Sequence, residues 1–584
     1  MNNNEALYEV RNVRDFRDLI NQSVELFGDN TAYLLKNLQG EYYNVTYKEL
    51  QADIRALGTA LWSMDLHGKK IAVMGKNSYQ WSISYLAVTC GLGVIVPIDK
   101  ELLFSDIDTI LSISEASVLL VDKKSYDKIL EHKSELSPNI QIIMFDIDED
   151  EGDVLSFDKL LNKGRALLEE GQTEYLNAEI NPDELASLIF TSGTTGLAKG
   201  VMLSQSNICF VVMATASVVK ILPEDRLLSV LPIHHTYECT LGFLMPLYSG
   251  SSIAFCEGLI KLMKNMQEVE PTVFVSVPLM FEKIHARIMK TVTEKRGGKF
   301  ALSLGKAINN VGNALGVSLN EKLFGEITKN FGGKVRLGIV GAAAIRPDVA
   351  ADFKSFGIPI YIGYGLTECA PLVAGNHDQL ITADTVGKPL PNVELKIINP
   401  DSSGVGEICT RSPGVMLGYY NDEKSTKEVL DDEGWFHTGD LGSQDEEGIV
   451  RIMGRIKNVI VTKNGKNIYP EEVEFYLNNN PLIAEAMVVG NDDNENETVV
   501  EAKIFPDVTA IMEKFKLKEA TAEDITRAVN DAVKDVNKKL PSYKNIKKFN
   551  IRDTEFIKTT TAKIKRYANM NDDQTSKDNS EDKN

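Results

Sequence analysis

Residues 188–204 read Leu-Ile-Phe-Thr-Ser-Gly-Thr-Thr-Gly-Leu-Ala-Lys-Gly-Val-Met-Leu-Ser, a run of small residues, hydroxyls and one lysine between two apolar stretches. Gly193, Gly196 and Gly200 permit positive φ and close backbone approach, so that N–H groups can converge on phosphate oxygens. Ser192, Thr194 and Thr195 add hydroxyl donors and Lys199 a full charge. A Walker loop wants Gly where this chain has Ala198 and Ser or Thr where it has Gly200, and it leads straight into a helix. Here Gly200-Val-Met-Leu-Ser204 has the composition of a second short strand, and helix signals begin only with Ser204 or Ser206 as caps for the apolar run from Ile208. The spacing therefore predicts a strand-loop-strand hairpin whose tip grips a triphosphate. An ordinary glycine-rich hairpin with a stray lysine is the alternative.

A chain of 584 residues with 43% hydrophobic content has room for several packed domains. Its net charge of −20 argues against non-specific nucleic-acid binding, so a polyanion needs local basic features, such as those between Lys538 and Arg566. The six cysteines are scattered without a CxxC pair or a histidine at zinc spacing, which fits reduced thiols, a cytoplasmic protein and no structural metal. Asn77 to Ile98 is uncharged, but Gly91 and Gly93 divide it. A buried helix followed by a short strand suits it better than a membrane span.

Helical apolar spacing covers Asp15 to Leu35, and Thr46 with Glu49 forms a capping box that opens a second helix through Leu61. The runs 70–74, 93–96, 117–121 and 142–145 read as buried parallel strands of an α/β layer fold. Further strands are expected at 227–232 and 273–277, with a helix from Pro278 and a long, mostly helical excursion from Thr291 to Phe331. From Thr385 onward short strands and turns indicate a compact β subdomain to about residue 455. A small α/β domain follows, with strands at 459–461, 486–489 and 499–503 separated by helices, and the polar residues 569–584 read as a disordered tail.

His234 and His235 end a strand, where they either act on a proton or line a pocket wall; no sequence pattern supplies a carboxylate or cysteine to orient a base. Gly341 and Ala342 leave room for a flat ring, with Tyr364 as the opposite wall by stacking; close strand packing explains the small residues equally well. Glu368, in Tyr364-Gly365-Leu-Thr367-Glu368, is either a magnesium ligand beside the phosphate loop or a surface glutamate. Asp440, in Trp435-Phe-His-Thr-Gly-Asp440, either accepts from ribose hydroxyls or sits in a turn.

Taken together, Thr191 to Gly200, Tyr364 to Glu368, Gly406-Glu407 to Gly418-Tyr419, His437 to Asp440, Gly454 to Asn458 and Lys558 to Ile564 resemble, in order and over nearly the whole chain, the motifs of the adenylate-forming superfamily of acyl-CoA synthetases, firefly luciferases and peptide-synthetase adenylation domains. Departures are mild: Ala198 stands where the family usually has Pro, and Ala562 where it has Gly.

The resemblance implies an α/β fold, with an adenylation domain over 1–455 and a mobile domain over 456–568 hinged at Lys457. It implies ATP, Mg²⁺ and coenzyme A as reactants or cofactor. A carboxylate attacks the α-phosphate to give an acyl-adenylate and pyrophosphate, and a thiol then displaces AMP. By the same resemblance, Thr191, Ser192, Gly193, Thr194, Thr195, Gly196 and Lys199 grip the phosphates, with Gly341, Ala342, Tyr364, Gly365 and Thr367 around the nucleotide. Glu368 holds Mg²⁺ with Thr194 or Thr367, Asp440 and Arg455 hold the ribose, Lys563 bridges carboxylate and α-phosphate, and His235 positions substrate.

Val277-Pro-Leu-Met-Phe-Glu-Lys-Ile284, the helical insert after it and Leu366-Thr-Glu-Cys-Ala-Pro371 look most like the long-chain fatty-acid ligases. Transfer to an acyl carrier protein, activation of an aryl or short acid, and a non-catalytic ATP-binding scaffold are the competing functions. Peripheral membrane contact is compatible with fatty substrates, although no strongly basic amphipathic helix stands out in the sequence, and oligomeric state is left open.

Overall fold

A computed structural model describes residues 5–132, 140–192, 198–294, 298–314, 320–462, 466–492, 498–558 and 563–570. The chain forms two compact units, one of Met1–Glu394 with Thr410–Phe436 and the other of Leu395–Cys409 with His437–Asn584.

The first unit holds two large sheets. One has the spatial order Gly418–Tyr419, Ala198–Ser204, Leu185–Ser192, Val94–Ile98, Lys70–Met74, Val118–Val121, Gln141–Met144 and Val154–Ser156. Its strands from Leu185–Ser192 to Val154–Ser156 are parallel neighbours, as their continuous apolar runs require of strands buried on both faces. The other sheet is built around parallel strands Ser252–Phe255, Arg226–Ser229, Val273–Ser276, Leu337–Val340 and Ile360–Gly365.

Local signals set the element ends. Thr46 and Glu49 close the expected capping box on the helix Tyr47–Trp62. Ser204, not Ser206, caps Gln205–Ala216, with Asn207 completing a second box. The apolar spacing from Asp15 gives a helix only over Phe16–Phe27; Thr31–Lys36 is a strand, with Ala32 and Tyr33 buried. So short an apolar run satisfies either period, and pairing with Tyr42–Thr46 and Ser252–Phe255 decides it. The uncharged stretch from Asn77 is a helix Tyr79–Ala87, a wide turn Val88–Leu92 and the strand Val94–Ile98. Among the described residues no helix is long and apolar enough to cross a membrane.

In the second unit, Glu394–Ile398, Gly406–Arg411, Phe436–Gln444 and Val450–Arg455 form a four-stranded sheet. A separate sheet of Ile483–Asp492, Thr498–Pro506 and Ile546–Ile551 packs Val488, Ala502 and Ile504 against Leu477, Val529 and Val533 of the helices Pro470–Asn478 and Ala522–Asn537. Two of its strands, Ile483–Asp492 and Thr498–Pro506, pair directly and antiparallel, Val488 opposite Ala502, where strands kept apart by helices are expected. Asn569, expected as the first residue of the tail, is held by the fold. That residue is fully buried, its Oδ1 accepting from the Ile557 amide at 2.9 Å and its Nδ2 donating to the Lys565 carbonyl at 2.8 Å; residues 571–584 lie outside those described.

Candidate active site

The hairpin forms as its composition predicts, with Thr191 opposite Lys199 and Ser192 opposite Ala198. Gly193, Thr194, Thr195 and Gly196, at its tip, lie outside the described residues. A third short strand extends it, Tyr419 pairing with Val201 while the Tyr420 amide donates to the Gly200 carbonyl at 2.7 Å. A Cβ at Gly200 would lie 3.1 Å from that of Tyr420, so the glycine admits this neighbour. Tyr419 is thereby placed between two expected site residues. Its ring centroid lies 4.7 Å from the Lys199 ammonium, and its hydroxyl donates to Glu368 Oε1 at 2.9 Å.

Glu368 belongs to the short turn Thr367–Cys369 that follows the strand Ile360–Gly365. The turn is fixed on both sides, since the Leu366 amide donates to the Pro371 carbonyl at 2.8 Å and the Met416 amide to the Glu368 carbonyl at 2.8 Å. Gly365 serves this turn: a Cβ there would stand 1.8 Å from the Pro371 carbonyl oxygen. The Thr367 hydroxyl lies 3.5 Å from that of Thr236. Carboxylate and hydroxyl oxygens are the donor set a hard divalent cation takes.

The strand Arg226–Ser229 ends before Pro232, and the histidines follow in a turn. The rings of His234 and His235 lie 4.2 Å apart, and His234 Nε2 is 3.6 Å from Asp99 Oδ2, a carboxylate just beyond Val94–Ile98 that sequence spacing does not reveal. Burial first, then the neighbouring His235 and Lys100, hold His234 well below the usual imidazole range. It is neutral near pH 7 and suited to shape a wall rather than to carry a proton.

Behind this turn the buried Glu238 carboxyl accepts from Ser229 Oγ at 2.5 Å, and Asn77 Nδ2 donates to the same Oγ at 2.8 Å and to the Leu231 carbonyl at 2.7 Å. Burial pushes Glu238 up to about 8. The residue sits in an over-wide helical turn, Glu238–Leu244, and a Cβ at Gly242 would stand 2.6 Å from its carboxyl carbon.

The small residues after Leu337–Val340 divide. A Cβ at Gly341 would lie 3.0 Å from the Tyr237 ring, whose hydroxyl donates to the carbonyls of Ser276 and Ile339 at 3.2 Å, so packing accounts for this glycine. Ala342 is exposed at φ 71°, a left-handed conformation that costs a non-glycine residue energy. Tyr364 is buried in its strand.

The second unit brings together its own expected residues. Asp440 lies in the strand Phe436–Gln444, not in a turn, opposite Arg455; the Arg455 Nε is 2.8 Å from Asp440 Oδ1, and Nη1 donates to the Thr438 carbonyl at 3.1 Å. Lys563 shares this surrounding. The residue is exposed as a whole, yet its ammonium is crowded enough that desolvation, then the Arg455 charge, lowers it below the ordinary lysine value, with Asp440 opposing. Lys457 is exposed in the turn Ile456–Asn458, beside Asn458, whose amide donates to Glu471 Oε1 at 2.5 Å. His437 Nδ1 lies 3.2 Å from Glu407 Oε2 and 3.6 Å from Cys409 Sγ, a grouping not read from the sequence.

Parallel α/β layers, a threonine- and glycine-flanked hairpin with Lys199 and Glu368 set on one tyrosine, and a smaller C-terminal α/β part are the architecture of adenylate-forming enzymes. Residues 20–420 match the AMP-binding enzyme family and residues 457–572 its C-terminal domain, and the chain belongs to this family. It is 29% identical over 560 residues to the long-chain-fatty-acid–CoA ligase FadD15 of Mycobacterium bovis, covering 91% of each chain. It is 30% identical over 509 residues to the fatty acyl-CoA synthetase A of Dictyostelium discoideum, covering 82% of this chain and 74% of that one. Among solved structures, the anthranilate CoA ligase AuaEII in complex with anthranoyl-AMP has a similar fold, with a TM-score of 0.74 and 20% identity over 97% of each chain.

Proposed function

We propose that this protein is an AMP-forming fatty-acid:CoA ligase, which activates a fatty acid with ATP to an acyl-adenylate and then passes the acyl group to coenzyme A. The observation that carries the reading is the meeting of Lys199 and Glu368 on Tyr419. Relatives named as long-chain fatty-acid ligases, similar over most of this chain, support the substrate class.

The chemistry is a problem of charge. A carboxylate must approach a polyphosphate of the same sign, so cations and donors have to be in place before the reactants meet. Lys199 and Thr191 serve the phosphates, with Ser192 and the loop residues Gly193 to Gly196. Glu368 and Thr367, with Thr194, are the oxygen ligands for Mg²⁺, which when bound offsets phosphate charge. Asp440 and Arg455 hold the ribose, with Ala342, Tyr364 and Gly365 shaping the nucleotide's surroundings. Lys563 is the compact cation for carboxylate and α-phosphate, and its lowered affinity for the proton reflects an ammonium already partly stripped of water. His235, next to a neutral His234, positions the acid. Lys457 acts as the hinge for the change between the two half-reactions.

Pyrophosphate release measured across saturated carboxylic acids of graded length tests the reading. Release that needs both ATP and a fatty acid, followed by CoA-dependent thioester formation, is expected. Release with aryl acids alone, or with no acid, defeats it.

A further inference from the structure

Asp99 follows the strand Val94–Ile98 of one large sheet, and His234 and His235 follow Arg226–Ser229 of the other. One ligand atom from each of the three, a carboxylate oxygen and two imidazole nitrogens, lies within 4.8 Å of the others. Each group is held in place. The Asn77 side chain pins the histidine turn, Oδ1 accepting from the Ile233 amide at 3.1 Å and Nδ2 donating to the Leu231 carbonyl at 2.7 Å. Asp99 Oδ1 accepts from the Glu101 amide at 2.9 Å, and Oδ2 faces His234.

His234 is 7% exposed, and its Nε2 has no hydrogen-bond partner among the described residues. Burying such an atom costs about 1–3 kcal/mol unless something meets it. Asp99 does not: at 3.6 Å its oxygen is beyond hydrogen-bond reach, and the ring, held neutral by burial, makes no ion pair with it. The gap instead fits a metal, since tetrahedral bonds of about 2.0–2.2 Å set nitrogen and oxygen ligands about 3.4 Å apart.

We propose that Asp99, His234 and His235 bind one divalent cation of the zinc class. Two imidazoles with one carboxylate suit zinc, copper or nickel and not the harder Mg²⁺, so the site differs in chemistry from the oxygen ligands at Glu368. Asp99 offsets part of the cation's charge, and Lys100 beside it is already paired with Glu101. Metal here engages His235, the residue proposed to position the acid, so a filled site slows acid activation. That consequence rests on the ligase reading; the site itself does not.

The test is calorimetric titration of the full chain with Zn²⁺, without ATP and in excess Mg²⁺, alongside Co²⁺ absorption spectra. One equivalent of Zn²⁺ should bind, and Co²⁺ should give visible bands without the near-ultraviolet absorption of a thiolate ligand. Asp99→Asn, which keeps an oxygen for the Glu101 amide, and His234→Leu should each weaken Zn²⁺ binding on the order of a hundredfold. Thermal unfolding of the metal-free variants checks that both fold. Cys409→Ser should bind as the wild type does; it removes the thiol from Glu407, Cys409 and His437, the rival grouping for a soft cation. With free Zn²⁺ fixed by a metal buffer, the fatty acid concentration for half-maximal pyrophosphate release should rise in the wild type and not in Asp99→Asn, whose rate without Zn²⁺ is kept. The site is overturned by no stoichiometric binding, by binding indifferent to both Asp99→Asn and His234→Leu, or by thiolate absorption that Cys409→Ser removes. Zn²⁺ bound by these residues with an unchanged acid requirement overturns the inhibition. Zn²⁺ bound as described to a protein that releases pyrophosphate with no acid supports the site and defeats the ligase reading.

Discussion

The Tyr419 hydroxyl donates to Glu368 Oε1 at 2.9 Å while the face of the same ring carries the Lys199 ammonium. One side chain thus touches both the cation and the carboxylate. Tyr419 is itself fixed by backbone pairing with Val201, and the Tyr419 amide donates to Thr426 Oγ1 at 2.8 Å. The lysine proposed for the phosphates and the carboxylate proposed for magnesium are thereby held in register.

Tyr419→Phe keeps the ring under Lys199 and removes only the hydroxyl. A hydrogen bond to a charged group contributes ~1.5 kcal/mol, roughly tenfold. The Mg²⁺ concentration needed for half-maximal pyrophosphate release should rise by about that factor, with the fold unchanged by circular dichroism. Tyr419→Leu should lose more, and an unchanged Mg²⁺ requirement in both variants would remove Tyr419 from the account.

Lys563→Ala should cost adenylation on the order of a hundredfold or more, as loss of one preorganised charge donor does. Thioester formation from supplied acyl-adenylate should persist. Because desolvation and Arg455 lower Lys563 below its ordinary value, its charged form is present at low pH and lost earlier on the alkaline side than for a free lysine. Adenylation in the wild type should fall there, and Lys563→Arg should show no such limb. Equal loss of both half-reactions in Lys563→Ala would contradict the assigned role.

Gly365→Ala places a methyl carbon 1.8 Å from the Pro371 carbonyl oxygen, backbone that cannot step aside cheaply. Destabilisation of ~3 kcal/mol is expected, read as a lower denaturant midpoint. Since Thr367 and Glu368 follow directly, the surviving folded fraction should also lose Mg²⁺-dependent pyrophosphate release. Full stability with full activity would show that the turn relaxes.

Much of this arrangement is legible in the chain because local chemistry writes it there. The hairpin strands within 188–204, the capping box at Thr46, a serine cap before Ile208 and the parallel strands follow from turn residues, caps and apolar runs close in sequence. What is not legible depends on neighbours from distant strands. Asp99 meets His234 only because Val94–Ile98 and Arg226–Ser229 end near one another in space. Tyr237 fills the space that Gly341 leaves, so a residue pattern that reads as a slot for a ring is met by the protein's own ring. The strand Thr31–Lys36 is decided by its partners and not by its own period.

Glu238 makes pH a probe of the support beneath the histidine turn. Its carboxyl is raised by burial from 4.5 to about 8, so the folded protein holds a proton that the unfolded chain has released between those values. The stability linked to this proton is fully present below pH 4.5 and is lost as pH rises through about 8, at about 1.4 kcal/mol per pH unit. Glu238→Gln keeps the shape and offers Ser229 a neutral partner without a titrating group. The variant should therefore gain stability relative to the wild type as pH increases from 5 to 8, read from denaturant midpoints at matched ionic strength. It should also keep activity at alkaline pH where the wild type declines, because ionising Glu238 leaves a desolvated charge that Ser229 Oγ offsets only in part, beside the Leu231 to His235 segment. A stability difference between the two proteins that does not change with pH would show that Glu238 is ionised, or neutral, in both states alike.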